Sequence, residues 1–154
     1  MTVKLLPFDE SAFPGWLEEQ AQGYIVDRMR AGDDRAVAEA KATSTNEKYF
    51  PGGRPIAGHT VYRVTSEGRD VGVLWLGPHP DALEGVAWVW SIEITEAERG
   101  RGLGRATMAE AERAALAEGY TDLALNVFGF NTAARSLYES MGYQTTSLQM
   151  RKAL

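Results

Sequence analysis

The clearest chemical signal is a seven-residue run in which three glycines alternate with other residues, Arg99-Gly100-Arg101-Gly102-Leu103-Gly104-Arg105. Glycine has no Cβ, so backbone N–H groups can converge there on an anion. A predicted helix begins in this run and adds the positive end of its dipole, while the arginines add forked donors for phosphate oxygens. The run therefore predicts a site for a pyrophosphate-sized anion. A tight turn with solvated arginines is the alternative.

The glycine spacing excludes two common phosphate sites. A dinucleotide fingerprint requires G-x-G-x-x-G, whereas Gly100, Gly102 and Gly104 give G-x-G-x-G. A P-loop requires a Gly-Lys pair, and the sequence contains none. Nucleotide triphosphate hydrolysis and Rossmann-type dinucleotide binding are therefore not expected.

Composition narrows the chemistry further. The 154-residue chain has no cysteine, so neither a thiolate zinc site nor an acyl-cysteine intermediate can form. Its two histidines, His59 and His79, lack metal-ligand spacing and fall in predicted loops, so no metal is expected. The net charge of -5 argues against nucleic acid as a partner and weakly favours a cationic one.

Two segments together resemble the Gcn5-related N-acetyltransferases, the GNAT family. Residues 94–104, Ile-Thr-Glu-Ala-Glu-Arg-Gly-Arg-Gly-Leu-Gly, match its acyl-CoA signature [RQ]-x-x-G-x-[GA] after a central strand. Residues 131–143, Asn-Thr-Ala-Ala-Arg-Ser-Leu-Tyr-Glu-Ser-Met-Gly-Tyr, resemble the family segment N-x-x-A-x-x-L-Y-E-x-x-G-[FY]. The two segments stand in the family order, and the matching core covers roughly residues 86–150.

The resemblance implies acetyl-CoA as cosubstrate, held where the central strand splays from the next one. By family position, the backbone around Ile92 and Ile94 would hold the acetyl and pantetheine groups. The cradle for the pyrophosphate would be Arg99, Gly100, Arg101, Gly102, Leu103, Gly104 and Arg105. Asn131 would contact the coenzyme, or would simply cap the helix that it begins.

Tyr138 is the first candidate for a catalytic residue, because the resemblance places it where the family has its general acid. Direct transfer from a thioester to an amine must protonate the departing thiolate, and a phenol with a pKa of about 10 can donate that proton. Helical spacing alone would make Tyr138 a packing residue beside Leu137 and Met141.

The general base is less defined by the sequence. Relatives often use a glutamate on the central strand, but the earlier positions of this strand are Val86, Trp88 and Trp90. Glu93 is the nearest strand carboxylate and is the candidate base. Glu84 and Asp81 are alternatives, as are a solvated Glu93 and deprotonation by solvent.

The function that follows is an acetyl-CoA-dependent N-acetyltransferase that transfers acetyl directly to a primary amine of a small molecule. An acceptor on a protein N-terminus or lysine, and a non-catalytic CoA-binding sensor, are the alternatives. Trp88, Trp90 and Trp75 could wall the acceptor pocket, although core packing is the commoner fate of tryptophan.

The elements that would position these residues follow from periodicity and turn signals. They predict one α+β domain over residues 1–154, an acyl-CoA N-acyltransferase domain, with a twisted, mostly antiparallel sheet of six to seven strands and about four helices. The predicted strands are residues 3–8, 60–65, 70–76, 86–94, 123–128 and 143–150. The predicted helices are residues 11–29, 35–48, 102–118 and 131–141.

The chain shows no targeting or membrane-spanning pattern, since its N-terminal apolar run is short and no stretch reaches about 18 apolar residues. A cytoplasmic protein without a membrane partner is therefore expected. An edge strand at residues 143–150 would also suit pairing with a second copy, so a homodimer is a further expectation.

Overall fold

A computed structural model describes residues 2–154 and contains one five-stranded sheet in the order β1-β2-β3-β4-β5. The strands are β1 Val3–Pro7, β2 Thr60–Ser66, β3 Arg69–Pro78, β4 Val86–Ile94 and β5 Asp122–Leu125. The first four strands pair antiparallel, whereas β5 runs parallel to β4. The predicted α+β class and mostly antiparallel sheet are confirmed.

Four α-helices accompany the sheet, as predicted: α1 Phe13–Arg30, α2 Arg35–Tyr49, α3 Leu103–Ala117 and α4 Thr132–Ser140. Pro14 stands in the first turn of α1, where its missing N–H costs no hydrogen bond. Asp33 joins α1 to α2, because its carboxylate lies 2.8 Å from both Arg28 Nε and Lys41 Nζ.

The two faces of the sheet carry different cores. On one face, α3 packs Leu103, Met108 and Ala111 against strand residues that include Leu74 and Val89. The opposite face carries an aromatic cluster, in which the buried members are Phe13, Trp16, Tyr49, Phe50, Val61 and Trp75. A functional group at this sheet can therefore be assigned to the α3 face or to the aromatic face.

The parallel pairing of β4 with β5 is short. It runs from Val86 opposite Asp122 to Val89 opposite Leu125, where β5 ends, while β4 continues to Ile94. The last five residues of β4 thus keep β3 as a neighbour on one side and have no paired strand on the other within residues 2–154. This is the predicted splay of the central strands.

Three predictions about strands are wrong. Residues 143–150 do not form a strand, and the sheet has five strands rather than six or seven. The fifth strand ends at Leu125 instead of residue 128. In the part of the chain that the structure describes, residues 126–128 and 143–150 have no neighbouring strand to bond to. A segment rich in strand-forming residues becomes a strand only when a neighbour bonds to it.

Within residues 2–154, no helix is long and apolar enough to cross a membrane.

Candidate active site

The glycine run forms the turn between β4 and α3. Gly100 and Gly102 have φ of +73° and +78°, a left-handed backbone that L side chains rarely adopt. Gly102 is the N-cap of α3 and offers no side-chain cap to the first N–H groups of this fifteen-residue helix. Those donors and the positive end of the helix dipole face the glycine turn, which is the arrangement that binds anions.

The three arginines of the run surround this turn but are held by neighbours in the chain. Arg99 donates from Nε to the Ile94 carbonyl oxygen at 2.9 Å. Arg101 pairs with Glu98, and Arg105 bonds the hydroxyl of Ser140 on α4. All three side chains are exposed. Each can therefore give up its present contact, which is accessible to solvent, and bond a bound anion instead.

The open part of β4 presents backbone groups toward the gap left by β5. Thr95 donates its N–H to the Val71 oxygen of β3 at 2.9 Å. Backbone groups point to alternate edges along a strand, so those of Ile94 and Ile92 point away from β3. Within the described chain, the edge at Ile92 and Ile94 therefore has no neighbouring strand, although Arg99 bonds the Ile94 oxygen, and a short 3-10 helix at Glu96–Glu98 connects it to the glycine turn.

A β-bulge in β4 decides which side chains flank this edge. Trp75 lies opposite Ser91 and Leu76 opposite Val89, so Trp90 is an extra residue without a partner. After the bulge, the side-chain alternation is reversed. Glu93 pairs with Val73 and consequently lies on the aromatic face, exposed to solvent, whereas uninterrupted alternation would have turned it toward α3.

Trp90 lies half-buried on that aromatic face. Its ring stacks on Trp75 with centroids 5.1 Å apart and lies 4.5 Å from Tyr49 and 5.5 Å from His59. Its indole N–H donates to the Pro78 oxygen at 3.2 Å. Trp75 is fully buried, so it is a core residue, whereas Trp90 keeps an accessible surface on the same face of the sheet as Glu93.

Sequence reasoning did not find His59 as a neighbour of this site. Trp75 donates its indole N–H to His59 Nδ1 at 3.1 Å, which fixes the imidazole proton on Nε2. The bond needs Gly77, because a Cβ there would lie 2.6 Å from His59 Nδ1. Burial lowers the pKa of His59 below its usual value. Gly77, a glycine inside a strand, is the sequence signal that marks such a close approach.

Tyr138 approaches from the other side of the sheet. It is half-buried on α4 against the α3-face core, and its ring centre lies 5.9 Å from that of Tyr143. Burial raises the pKa of the Tyr138 phenol above its ordinary value near 10, so the hydroxyl stays protonated at neutral pH.

Asn131 is the N-cap of α4, and its side-chain oxygen accepts the Ala134 N–H at 3.2 Å. The capping alternative is therefore observed. Gly104 faces α4, since a Cβ at that position would lie 3.4 Å from the Leu137 side chain, which is ordinary van der Waals contact.

Comparison with known proteins identifies the family of this chain. The model of the acetyltransferase (GNAT) family matches residues 9–143, most of the chain. The chain belongs to the GNAT family. The expected resemblance is thereby confirmed, and the protein is an N-acetyltransferase.

Relatives of this GNAT protein cover its whole length. YdgE of Bacillus subtilis, described as an uncharacterized N-acetyltransferase, is 30% identical over 100% of this chain and 99% of its own. The crystal structure of YycN, a putative acetyltransferase of the same organism, superposes with a TM-score of 0.90 at 28% identity, covering 99% of both chains. AAC(6')-Iy, solved with a CoA-linked bisubstrate analogue, shares the fold with a TM-score of 0.60 at 14% identity, covering 100% of both chains.

Proposed function

We propose that this GNAT protein transfers acetyl from acetyl-CoA directly to a primary amine of a small cationic molecule. The proposal rests on two features that follow one another along the chain, the open edge of β4 and the glycine turn. The open backbone edge at Ile92 and Ile94 is followed, after a short 3-10 helix at Glu96–Glu98, by a glycine turn that exposes the first N–H groups of α3. A ligand with an amide-containing arm that ends in a pyrophosphate matches this arrangement: the amides can bond the strand edge, and the pyrophosphate can accept from the N–H groups of α3.

The residues present fit this cosubstrate. Ile92 and Ile94 would bond the pantetheine amides as a neighbouring strand would. Gly100 and Gly102 leave the turn free of Cβ atoms, and the nearest hypothetical Cβ contact at either glycine is beyond 4 Å. Arg99, Arg101 and Arg105 would supply the positive charge. When bound, acetyl-CoA supplies an activated acetyl thioester.

Tyr138 is the proposed proton donor. Its phenol lies half-buried on the α3 face, and burial raises its pKa, so the group carries its proton across the physiological range. A phenol in that state can protonate a leaving thiolate at its Oη–H.

Glu93 is the proposed proton acceptor for the incoming ammonium. The bulge at Trp90 places its exposed carboxylate on the aromatic face, opposite the face that Tyr138 approaches. An acid and a base on opposite sides of a strand edge suit a reaction in which the amine enters from one side and the thiolate leaves on the other. Without a cysteine, the chain offers no thiol for an acyl-enzyme, which favours direct transfer.

The aromatic face favours a cationic acceptor. The half-buried ring of Trp90 lies on the same face of the sheet as the Glu93 carboxylate, and Tyr49 packs against Trp90. An aromatic face with a carboxylate favours an ammonium group through charge and through cation–π attraction, which is worth about 0.5–2 kcal/mol. A compact amine would present its nitrogen to both groups.

Two measurements test the proposal. Titration calorimetry with acetyl-CoA should give saturable binding, and its absence would refute both the enzyme and the sensor interpretation. A thiol-release screen with polyamines, aminoglycosides, amino acids and peptides should then give turnover with a small cationic amine. Turnover with peptides alone would move the acceptor to a protein, and binding without any turnover would indicate a sensor.

The role of Trp90 can be separated from the coenzyme site in the same screen. Trp90→Leu should raise KM for the amine severalfold and leave the KM for acetyl-CoA unchanged. Trp88→Leu is the matched control, because Trp88 lies on the part of β4 that is paired with β5. Equal effects of both substitutions would remove Trp90 from the acceptor site.

A further inference from the structure

Helix α1 crosses the aromatic face of the sheet. Near its start, the ring of Trp16 lies 6.1 Å from that of Trp75 on β3. Near its end, the Arg28 guanidinium lies over the ring of Phe128, 5.8 Å from the ring centre, in the loop after β5. Because β4 lies between β3 and β5 in the sheet, the middle of α1 passes over β4.

The crossing lies above the open stretch of β4, residues 90–94, which β5 does not reach. At one end of the crossing, Trp75 is paired with Ser91 of β4. At the other end, Phe128 follows β5, whose last residue is paired with Val89. Both ends are therefore level with the residues just after Val89. The side chain of Glu93 lies on this same face, so α1 lies above the proposed acceptor site.

Asp27 lies on the side of α1 that faces the open stretch. It follows Trp16 by eleven residues, which is three turns of an α-helix at about 3.6 residues per turn, so the two side chains leave the helix on the same side. Trp16 is buried against the sheet, whereas Asp27 is half-buried. Within residues 2–154, the Asp27 carboxylate has no hydrogen-bond or ion-pair partner. A half-buried carboxylate thus faces the acceptor site without a partner from the chain.

Asp27 is unfavourable for the stability of the free protein. Burial raises the pKa of its carboxyl group, and the charge of Arg30 offsets this only in part. Arg30 itself lies over the ring of Phe130, 4.1 Å from the ring centre. Asp27 also begins the last turn of α1, since Ala31 bonds its carbonyl oxygen, and the helix dipole disfavours a negative charge there. Charged groups that cost stability and find no partner in the chain are typical of sites that bind a ligand.

We propose that Asp27 binds a second ammonium group of the acceptor, which makes a diamine the preferred substrate. The assignment rests on the proposed function, because it adds one residue to the same acceptor site. The reacting ammonium lies at Glu93 and Trp90, and the other lies under α1 and donates a charge-assisted hydrogen bond to the Asp27 carboxylate. The carbon chain between them lies along the aromatic face, where its apolar surface is removed from water.

Matched pairs of amines test this assignment. Linear diamines from diaminopropane to diaminoheptane are each compared with the monoamine of the same carbon number in the thiol-release assay. For the native protein, the KM of the best diamine should be roughly 10–100-fold below that of its monoamine, which is the effect of one charge-assisted hydrogen bond. Asp27→Asn should abolish this difference by raising the KM of the diamine, and the effect should fall on KM rather than on kcat.

Two further variants serve as controls. Asp27→Glu keeps the carboxylate and should keep the preference for a diamine. Glu18→Gln removes an exposed carboxylate from the far side of α1, two residues after Trp16, and should leave both KM values unchanged.

Thermal unfolding separates binding from a structural role. Asp27→Asn removes an unpaired charge, so its Tm should equal or exceed that of the native protein. A lower Tm together with equal losses of activity for diamine and monoamine would mean that Asp27 supports the fold, which overturns the assignment.

Diamine preference and acetyl transfer can fail separately. Turnover with equal KM values for diamine and monoamine would overturn the role of Asp27 and leave the transferase intact. Titration calorimetry with the diamine and coenzyme A needs no turnover. If no amine is acetylated, diamine binding that weakens roughly tenfold or more in Asp27→Asn would still support the site, and no binding to the native protein would overturn it. An equal loss of monoamine binding would mean that Glu93 and Asp27 hold one ammonium together, which overturns the diamine preference.

Discussion

Glu93, on the open stretch of β4, and Tyr138, on α4, lie on opposite faces of the sheet. Glu93 pairs across the sheet with Val73 of the aromatic face, whereas Tyr138 packs against the α3-face core. The Trp90 bulge creates this arrangement, because it reverses the side-chain alternation before Glu93. Two proton-transfer groups separated by a strand act on different atoms, so the proposed roles can be tested one at a time.

Tyr138→Phe removes the proposed acid while keeping the ring in the core. We expect kcat to fall by about 10²–10⁴-fold with little change in the KM for the amine. Burial raises the pKa of Tyr138, so in the native enzyme the loss of rate from phenol ionisation should appear only above about pH 10. The measurement is kcat against pH for both proteins.

Tyr143→Phe is the matched control for that experiment. Tyr143 packs against Tyr138, and burial and the bond to Glu112 raise its pKa as well. Loss of its hydroxyl should lower stability by about 1 kcal/mol through the broken bond and leave kcat within a fewfold of the native value. Equal losses of kcat in both variants would mean that packing of the tyrosine pair, rather than the Tyr138 proton, supports the rate.

Glu93→Gln removes the proposed base without changing the shape of the side chain. We expect kcat/KM for the amine to fall about 10²–10⁴-fold at neutral pH. The deficit should shrink as the pH approaches the pKa of the free amine, about 10.4 for a lysine-like group, since the substrate then loses its proton unaided.

Glu84→Gln provides the comparison for the base, because Glu84 is an exposed carboxylate in the loop before β4. It should leave the pH profile unchanged. A Glu93→Gln deficit that stays constant across pH would assign Glu93 to charge attraction of the ammonium, and a normal rate would assign deprotonation to solvent.

Gly102→Ala tests the anion site. At φ +78°, a Cβ costs roughly 1–2 kcal/mol of backbone strain, and relaxation of the turn would move the first N–H groups of α3. We therefore expect weaker acetyl-CoA binding by calorimetry, together with a lower free energy of unfolding.

Gly23→Ala separates affinity from strain in that test. Gly23 lies inside α1, and a Cβ there meets nothing within 4 Å. The substitution should raise stability by about 0.5–1 kcal/mol and leave acetyl-CoA affinity unchanged. If Gly102→Ala lost stability but bound acetyl-CoA normally, the cradle would not be the coenzyme site.

The sequence predicted elements and motifs well because their signals are local. The glycine run, the helix periodicity and the Asn131 cap each depend on residues within one or two turns. The face of Glu93 was not predictable, because one inserted residue at Trp90 reverses it and a bulge leaves no pattern in a run that is apolar on both sides. Residues 143–150 look like a strand, but strand formation requires a neighbouring edge.

The ion pairs of Asp33 make the stability of the fold depend on pH. Hydrogen bonds from Arg28 and Lys41 lower the pKa of Asp33 from 3.8 to about 2. A carboxyl group with a lowered native pKa stabilises the fold above its unfolded pKa, and that stabilisation is lost as the pH falls through the native value. The connection between α1 and α2 should therefore weaken between about pH 4 and pH 2.

Urea unfolding of the native protein and of Asp33→Asn at pH 7 and at pH 2.5 measures this effect. Asp33→Asn should be less stable than the native protein at pH 7, and the difference should narrow at pH 2.5, where the native carboxylate is partly protonated. Asp34→Asn is the control, since Asp34 is the next residue but makes no side-chain capping bond to α2. An equal stability difference at both pH values would show that the Asp33 ion pairs do not stabilise the α1–α2 connection, and the substitution would then act through packing alone.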